Sequence, residues 1–413
     1  MASSLVAPGK DASNARTRSS SYTTTRRRPL HDEGHAIVTL SATERCVVYR
    51  THTLLMNNWN LADNPWHRRT VLVRMLTDFC QGDAIQPTQV YLLKRLLFAH
   101  VKPTEEARPG WYASIAHALL FLSGGSVGRD VDADCDLHRV VYDPSQPTTV
   151  DRCDELLRLF REKRLPNPVW HILTDVDDTL FAHPDWAAIA GYDRSWDTQV
   201  PYPGIVAFYQ RFYAHVPAMC RYSTVLSATP SIWRGRRLRD PIIHQVLNQS
   251  NIGFGFLHGF DALTPYLSPN RHVRFGHEKY RKFVQYINLF PEHRVVFIGD
   301  EGQGDVIAGR LMRTHHPDTC HVFIHRLSAD ARTYTAPHHD DDAALAIHYF
   351  RDYAELAVLF RRQLQLFTDA DVEAIHREVC ARVAESSTTS AEAGERNRNL
   401  YASCHLATHL AGA

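Results

Sequence analysis

The chain has 413 residues, of which 44% are apolar, enough for one large core or two modest ones. Lys+Arg 46 against Asp+Glu 45 leaves no global field that would favour nucleic acid or a membrane surface, so any such partner must be read by a local cluster. Eight cysteines without a C-x-x-C pair or regular spacing argue against a zinc framework or a disulfide scaffold and for reduced thiols inside a cell, and no apolar run approaches the roughly 20 residues of a membrane helix.

Residues 1–34 are rich in Ser, Thr and Arg, ending near Arg26-Arg27-Arg28, and are expected to be a disordered tail. A mitochondrial presequence is the alternative reading of this composition, with a cytoplasmic or peripheral-membrane location expected otherwise. Residues 35–165 are expected to form an N-terminal accessory region of mixed α/β type. Ile37–Leu40 and Cys46–Tyr49 are its strand candidates, and Val71–Phe79 and Gln89–Phe98 its helices. Gly124–Gly128 lacks the Gly-Lys-Ser/Thr ending of a phosphate loop. Asp130, Asp132 and Asp134 imitate a calcium loop, but Cys135 and Val141 stand where its Gly and Glu belong.

Residues 166–330 alternate strands with helices. Val169–Leu173, Tyr222–Leu226, Gly253–Leu257, Val295–Ile298 and His321–Ile324 are the strands; Ile205–Tyr213, Pro241–Gln249, Lys279–Leu289 and Asp305–Thr314 are the helices. Strict alternation predicts a parallel sheet with helices on both faces and a site at the carboxyl ends of the strands. Residues 331–384 are expected to be C-terminal helices, one beginning near Thr368 as N-cap, and 385–413 a disordered tail.

The acids fall at the strand ends. Asp175-Val176-Asp177-Asp178-Thr179 follows the first strand; one carboxylate there is placed to attack phosphorus or bind a metal and the other to move a proton. Taken alone, the same segment also reads as an acidic Asx turn. Ser227 ends the second strand, where a hydroxyl and backbone amides suit phosphate oxygens. Lys279 is expected to open a helix and to neutralise phosphoryl charge, with Arg281 and Lys282 as substitutes. Gly299-Asp300 through Asp305 is a glycine-rich turn that brings two carboxylates to one hard cation such as Mg²⁺, alongside Asp175.

In this order the residues resemble the haloacid dehalogenase (HAD) superfamily of aspartate-nucleophile phosphatases, whose motifs run D-x-D-x-T, a strand-end Ser/Thr, Lys, and G-D-x-x-x-x-D. Asp-Val-Asp-Asp-Thr at 175–179, Pro201-Tyr202-Pro203-Gly204, the Ser-x-x-Pro segment at Ser227, Lys279 eleven residues before Phe290-Pro291, and Ile298-Gly299-Asp300-Glu301-Gly302-Gln303 are similar to the actin-patch-associated phosphatidate phosphatases, which are related to lipins. The resemblance covers about residues 168–327, and Asp178 favours this family over lipins, which carry Gly there. It departs at Glu301, where the family has Ser, at Ser227-Ala228-Thr229-Pro230 with Trp233 three residues on, and after the third strand, where a Leu-Arg pair is not evident.

The resemblance implies a HAD-like Rossmannoid, doubly wound sheet with little or no cap. It makes Asp175 the nucleophile and Asp177 the acid and base, with Thr179, Ser227 and Lys279 on the phosphoryl group. Asp175, Asp177 (in part through its carbonyl), Asp300 and Asp305 would hold Mg²⁺. The implied reaction is hydrolysis of phosphatidate to diacylglycerol at a membrane surface. Independently of the resemblance, Arg234, Arg236, Arg237 and Arg239 beside Ile232 and Trp233 read either as contacts to an anionic phospholipid substrate or as a solvated charged helix face. Nucleic-acid ends or phosphoproteins are the alternative substrates, and a non-catalytic phospholipid- or protein-binding module is the third reading.

Overall fold

A computed structural model describes residues 65–98, 137–142, 150–182, 193, 196, 200–228, 246, 253–257, 270–302, 304–327 and 341–386. The expected strands at 37–40 and 46–49, both tails apart from Glu385 and Ser386, and Arg234, Arg236, Arg237 and Arg239 lie outside the described residues. So does the expected helix at 241–249, except Val246.

Four helices precede the sheet: α1 (Pro65–Gln81), α2 (Pro87–Phe98), α3 (Leu137–Tyr142) and α4 (Val150–Glu162). The strands are β1 (Val169–Thr174), β2 (Tyr222–Leu226), β3 (Gly253–Leu257), β4 (His293–Asp300), β5 (Cys320–His325) and β6 (Ile347–Phe350). They form one sheet in the order β3-β2-β1-β4-β5-β6, with every neighbouring pair parallel. The central strands are rich in β-branched and aromatic residues and are buried along nearly their whole length, as a sheet covered on both faces requires. The connecting helices are α5 (Ile205–Ala214) between β1 and β2, α6 (Arg271–Leu289) before β4 and α7 (Asp305–His315) between β4 and β5. The chain steps outward from β1 to β2 and β3, returns to β4, and steps outward the other way. Right-handed crossovers therefore place α5 and α7 on opposite faces. This is a Rossmann-like α/β arrangement, whose topological switch point is the crevice between β1 and β4.

Two expectations need correction. The C-terminal region is not wholly helical: α8 (Asp341–Ala344) leads into β6, and α9 (Tyr353–Leu359), a π turn at Phe360–Leu364 and α10 (Asp369–Ser386) follow. The strand hides because only four residues form it, His348 and Tyr349 dilute its apolar character, and Ala343-Ala344-Leu345-Ala346 before it favours helix. Ala346 at φ 55 is where the helical run stops. Thr368 does cap α10, its Oγ1 accepting from Asp371 N at 3.2 Å while Asp371 Oδ2 accepts from Thr368 N at 3.0 Å.

The second correction concerns α6, which begins at Arg271, so Lys279 stands in its third turn and not at its start. Gly276, a poor helix former, disguises the earlier turns.

The described part of residues 35–165 has no core of its own. Buried side chains from Val73 in α1 to Ile375 in α10 make one continuous cluster. α2 reaches the lower end of the sheet through Lys94, whose ammonium lies 2.7 Å from Glu292 Oε1 with both side chains buried, and donates to the Leu289 carbonyl at 2.9 Å. Beside it His171 of β1 and His293 of β4 stack at 4.5 Å. His171 Nε2 meets Thr224 Oγ1 at 2.9 Å; His293 meets Tyr286 Oη at 2.8 Å and Tyr91 Oη at 3.1 Å.

Burial pushes His171 down to about 3, and burial together with His171 and Lys94 holds His293 well below the usual histidine range. In the unfolded chain both titrate near 6.5. Below that pH the unfolded state binds protons that the folded state refuses, so stability is complete above about pH 6.5 and is lost as pH falls. Urea unfolding at pH 5 should give a free energy about 3–4 kcal/mol below the value at pH 7 from these two groups. His171→Gln should remove about half of that difference; an unchanged pH dependence in this variant would refute the assignment.

Candidate active site at the β1–β4 crevice

β1 and β4 run in register from Val169↔His293 to Thr174↔Ile298, so their carboxyl ends stop at one level. Asp175 leaves β1 with its N–H on the Ile298 carbonyl at 2.9 Å, and Asp300 ends β4 one residue beyond Gly299. Gly299 leaves room for a neighbour: a Cβ there would stand 2.7 Å from Asp305 Cβ and 2.8 Å from its Cγ. Asp305 is the first residue of α7, where the positive end of the helix dipole favours a carboxylate.

The turn before α7 needs Gly304, at φ 89. A Cβ on Gly304 would lie 2.7 Å from Gly276 N, and one on Gly276 would lie 2.7 Å from the Gly304 carbonyl. Bare backbone at both positions thus permits the close approach of α6 to the acidic turn, and one turn later α6 delivers Lys279.

The resulting cluster is buried throughout. One carboxylate oxygen each from Asp175, Asp300 and Asp305 lies within 4.8 Å of the others. Lys279 Nζ lies 3.2 Å from Asp175 Oδ1 and donates to Asp305 Oδ1. Asp305 Oδ2 accepts from Asp300 N at 3.2 Å, and Asp300 Oδ1 from Gly302 N at 2.5 Å. Burial pushes Asp175 up to about 6, against the pull of Lys279. Burial, then Asp305 and Asp175, push Asp300 well above the usual carboxylate range; burial also raises Asp305, with Lys279 opposing. Burial alone would lower Lys279, but Asp175, Asp305 and Asp300 outweigh it and hold the ammonium above its ordinary value.

Three carboxylates thus lie around one ammonium, which pairs directly with Asp175 and Asp305. Asp175 Oδ2 and Asp300 Oδ2 are buried without a hydrogen-bond partner among the described residues. That donor set, all oxygen and short of positive charge, fits a hard divalent cation. In metal-free buffer the acids repel one another. Asp300→Asn should therefore raise the metal-free melting temperature by a few degrees, and should abolish the rise expected of the parent chain in millimolar Mg²⁺. An equal Mg²⁺-induced rise in both proteins would exclude Asp300 as a ligand.

The other expected residues are placed as follows. Asp177 is buried in the turn after Asp175, but its carboxylate does not belong to the group of three. Thr179 is buried, and its hydroxyl has no partner among the described residues. Ser227 is buried just past β2, its N–H on the Leu257 carbonyl at 3.1 Å. The Thr174↔Val225 register aligns this strand end with that of β1. Arg281 and Lys282 do not stand in for Lys279: both turn to Glu278, at 2.5 and 3.9 Å. Glu301 accepts from Leu327 N at 3.2 Å, so it ties the loop after β5 to the acidic turn and stands apart from the three acids.

Reading the chain alone gives no part in holding the turn of Asp175 to five residues, of which Asp178 and Tyr202 entered only as marks of the family resemblance. Asp178, at φ 58, accepts on Oδ1 from Asp193 N at 3.2 Å, and Asp193 Oδ2 accepts from Tyr202 Oη at 2.8 Å. His325 Nδ1 lies 2.7 Å from the Asp178 carbonyl oxygen, and Tyr353 donates to the Thr179 carbonyl at 2.8 Å. Only Asp178 carried a local signal, as a residue type tolerant of left-handed backbone.

Among the described residues no helix is long and apolar enough to cross a membrane. No family model, curated protein or solved structure matches this chain.

Proposed function

We propose that this chain is a Mg²⁺-dependent phosphatase of the HAD type, with Asp175 as nucleophile and phosphatidate at a membrane surface as substrate. The observation that carries this reading is the buried meeting of Asp175, Asp300 and Asp305 within 4.8 Å, with Lys279 between Asp175 and Asp305. A purely structural turn has no use for three repelling carboxylates at a sheet's switch point. The HAD-like motif order supports the phosphoryl chemistry, and its phosphatidate phosphatase variant supports the lipid.

In the proposed reaction a carboxylate oxygen of Asp175 attacks phosphorus and the ester P–O bond breaks, leaving a phospho-aspartate. Asp177 gives its proton to the departing alkoxide. It then takes a proton from water, whose oxygen attacks phosphorus, breaking the bond to Asp175 and releasing phosphate. Lys279, and the hydroxyls of Thr179 and Ser227, hold the phosphoryl oxygens. Asp175, Asp300 and Asp305, joined by the Asp177 carbonyl, would hold Mg²⁺, which when bound would offset negative charge on those oxygens. The 47 residues 175–221 between β1 and β2 also carry the acidic turn and α5, which leaves little length for a large cap and suits a bulky, membrane-held substrate.

Phosphate release from phosphatidate in liposomes, from soluble phosphate esters and from 3′- or 5′-phosphorylated oligonucleotides, each with Mg²⁺ and with chelator, tests this reading. Mg²⁺-dependent release that is fastest from liposomes is expected. Preference for oligonucleotides would replace the substrate, and no release from any of them would overturn the enzyme.

A further inference from the structure

The turn of Asp175 is not held in place by its own hydrogen bonds alone. Within it, Asp178 N donates to the Phe181 carbonyl at 2.9 Å and Leu180 N to the Val176 carbonyl at 2.8 Å. The carbonyls of Asp178 and Thr179 face side chains from far along the chain. His325, at the end of β5, lies with Nδ1 2.7 Å from the Asp178 oxygen and Nε2 3.2 Å from the Arg351 oxygen. Tyr353, two residues beyond Arg351, donates its hydroxyl to the Thr179 oxygen at 2.8 Å.

The C-terminal segment is itself held firmly. Asp352 caps α9 by accepting from Glu355 N at 2.9 Å. The Tyr353 ring is fully buried, 5.4 Å from Phe208 of α5 and 5.8 Å from Phe350 of β6. Gly204, at φ 81, admits this packing, since a Cβ there would meet Tyr353 Cβ at 3.3 Å and Val379 of α10 at 2.5 Å. Consecutive carbonyls of the turn that aims Asp175 and Asp177 are thus held by Tyr353 of a braced C-terminal segment and by His325 of β5, which itself lies against the Arg351 carbonyl of that segment.

We propose that Tyr353 is a positioning residue for the acidic turn, acting with His325, so that residues 347–359 are a working part of the site. The catalytic half of this statement rests on the phosphatase reading; the positioning half does not. A carboxylate misplaced by about 1 Å costs about 10²-fold in rate, so a single lost tether should be visible in turnover. Tyr353→Phe is the clean variant, because it keeps the ring and its packing and removes only the hydroxyl.

In the full-length chain, Tyr353→Phe should lower kcat for Mg²⁺-dependent phosphate release by at least about 10-fold while KM stays within about twofold. Amide hydrogen exchange at residues 175–182 should accelerate by at least about 10-fold, with exchange in β4 and α10 unchanged. His325→Gln, which keeps one donor, should show a smaller change of the same kind. Unchanged exchange in the turn, unchanged kcat in an active protein, or equal acceleration in β4 and α10 would each overturn the proposal. If the parent chain releases no phosphate from any ester, faster exchange confined to the turn still supports the tether, and the phosphatase reading alone fails.

Discussion

Asp175→Asn should abolish Mg²⁺-dependent phosphate release, with kcat falling by on the order of 10⁴-fold or more. Asn keeps the size and one acceptor oxygen of Asp, so Lys279 retains a partner at the position now 3.2 Å away. The variant also removes one of three mutually repelling buried carboxylates. Its melting temperature in metal-free buffer should therefore hold or rise, which separates lost chemistry from lost fold. Asp177→Asn should behave differently. Its loss should be large with an alkyl phosphate and much smaller with p-nitrophenyl phosphate, whose leaving group departs without a proton. Undiminished release by Asp175→Asn would remove the nucleophile from the scheme, and equal losses with both esters would remove the acid role from Asp177.

Lys279→Met carries the second large effect, this time on stability as well as turnover. Lys279 is buried and is the ammonium that Asp175 and Asp305 share. Removing one partner of a buried ionic group leaves uncompensated charge, at about 3–5 kcal/mol. Urea titration in chelator should show a loss of that order. Added Mg²⁺ should restore part of it, because a dication replaces the missing positive charge. Arg281 and Lys282 should not rescue the variant, since both turn to Glu278. A loss below about 1 kcal/mol would mean that the acids are protonated in the folded chain and need no cation.

Much of this arrangement is written locally. Tyr222–Leu226 and Gly253–Leu257 form strands at their expected bounds, and three other strands extend theirs by one to four residues. Each runs as a short apolar stretch closed by polar residues, too brief for a helix and apolar on both faces as a covered parallel strand must be. The strand-end acids are legible for the same reason, since Asp175 and Asp300 interrupt apolar runs abruptly. Strand β6 is not legible, because an edge strand of four residues needs only its neighbour's hydrogen bonds and little apolar character of its own.

The tethers are invisible for a deeper reason. Thr179 and Tyr353 stand 174 positions apart, and a tyrosine that donates to a distant carbonyl looks like any buried tyrosine. Lys279 shows the middle case: the residue is identifiable, but its place in the third turn of α6 depends on Gly276, whose purpose appears only once α7 lies against it.

Gly276 and Gly304 also act as a gauge. Each occupies space that the other's methyl would need, and Ile307 of α7 fills the rest against Gly276, so the ammonium-bearing helix and the acidic turn meet with no room for a methyl at either glycine. Alanine at either position wedges the two apart and lengthens the reach of Lys279 to Asp175 and Asp305, and no second substitution at the partner can close that gap, because neither residue has an atom left to give up. The spacing of the charges therefore rests on two missing methyl groups: any side chain at either glycine can widen it, and none can narrow it.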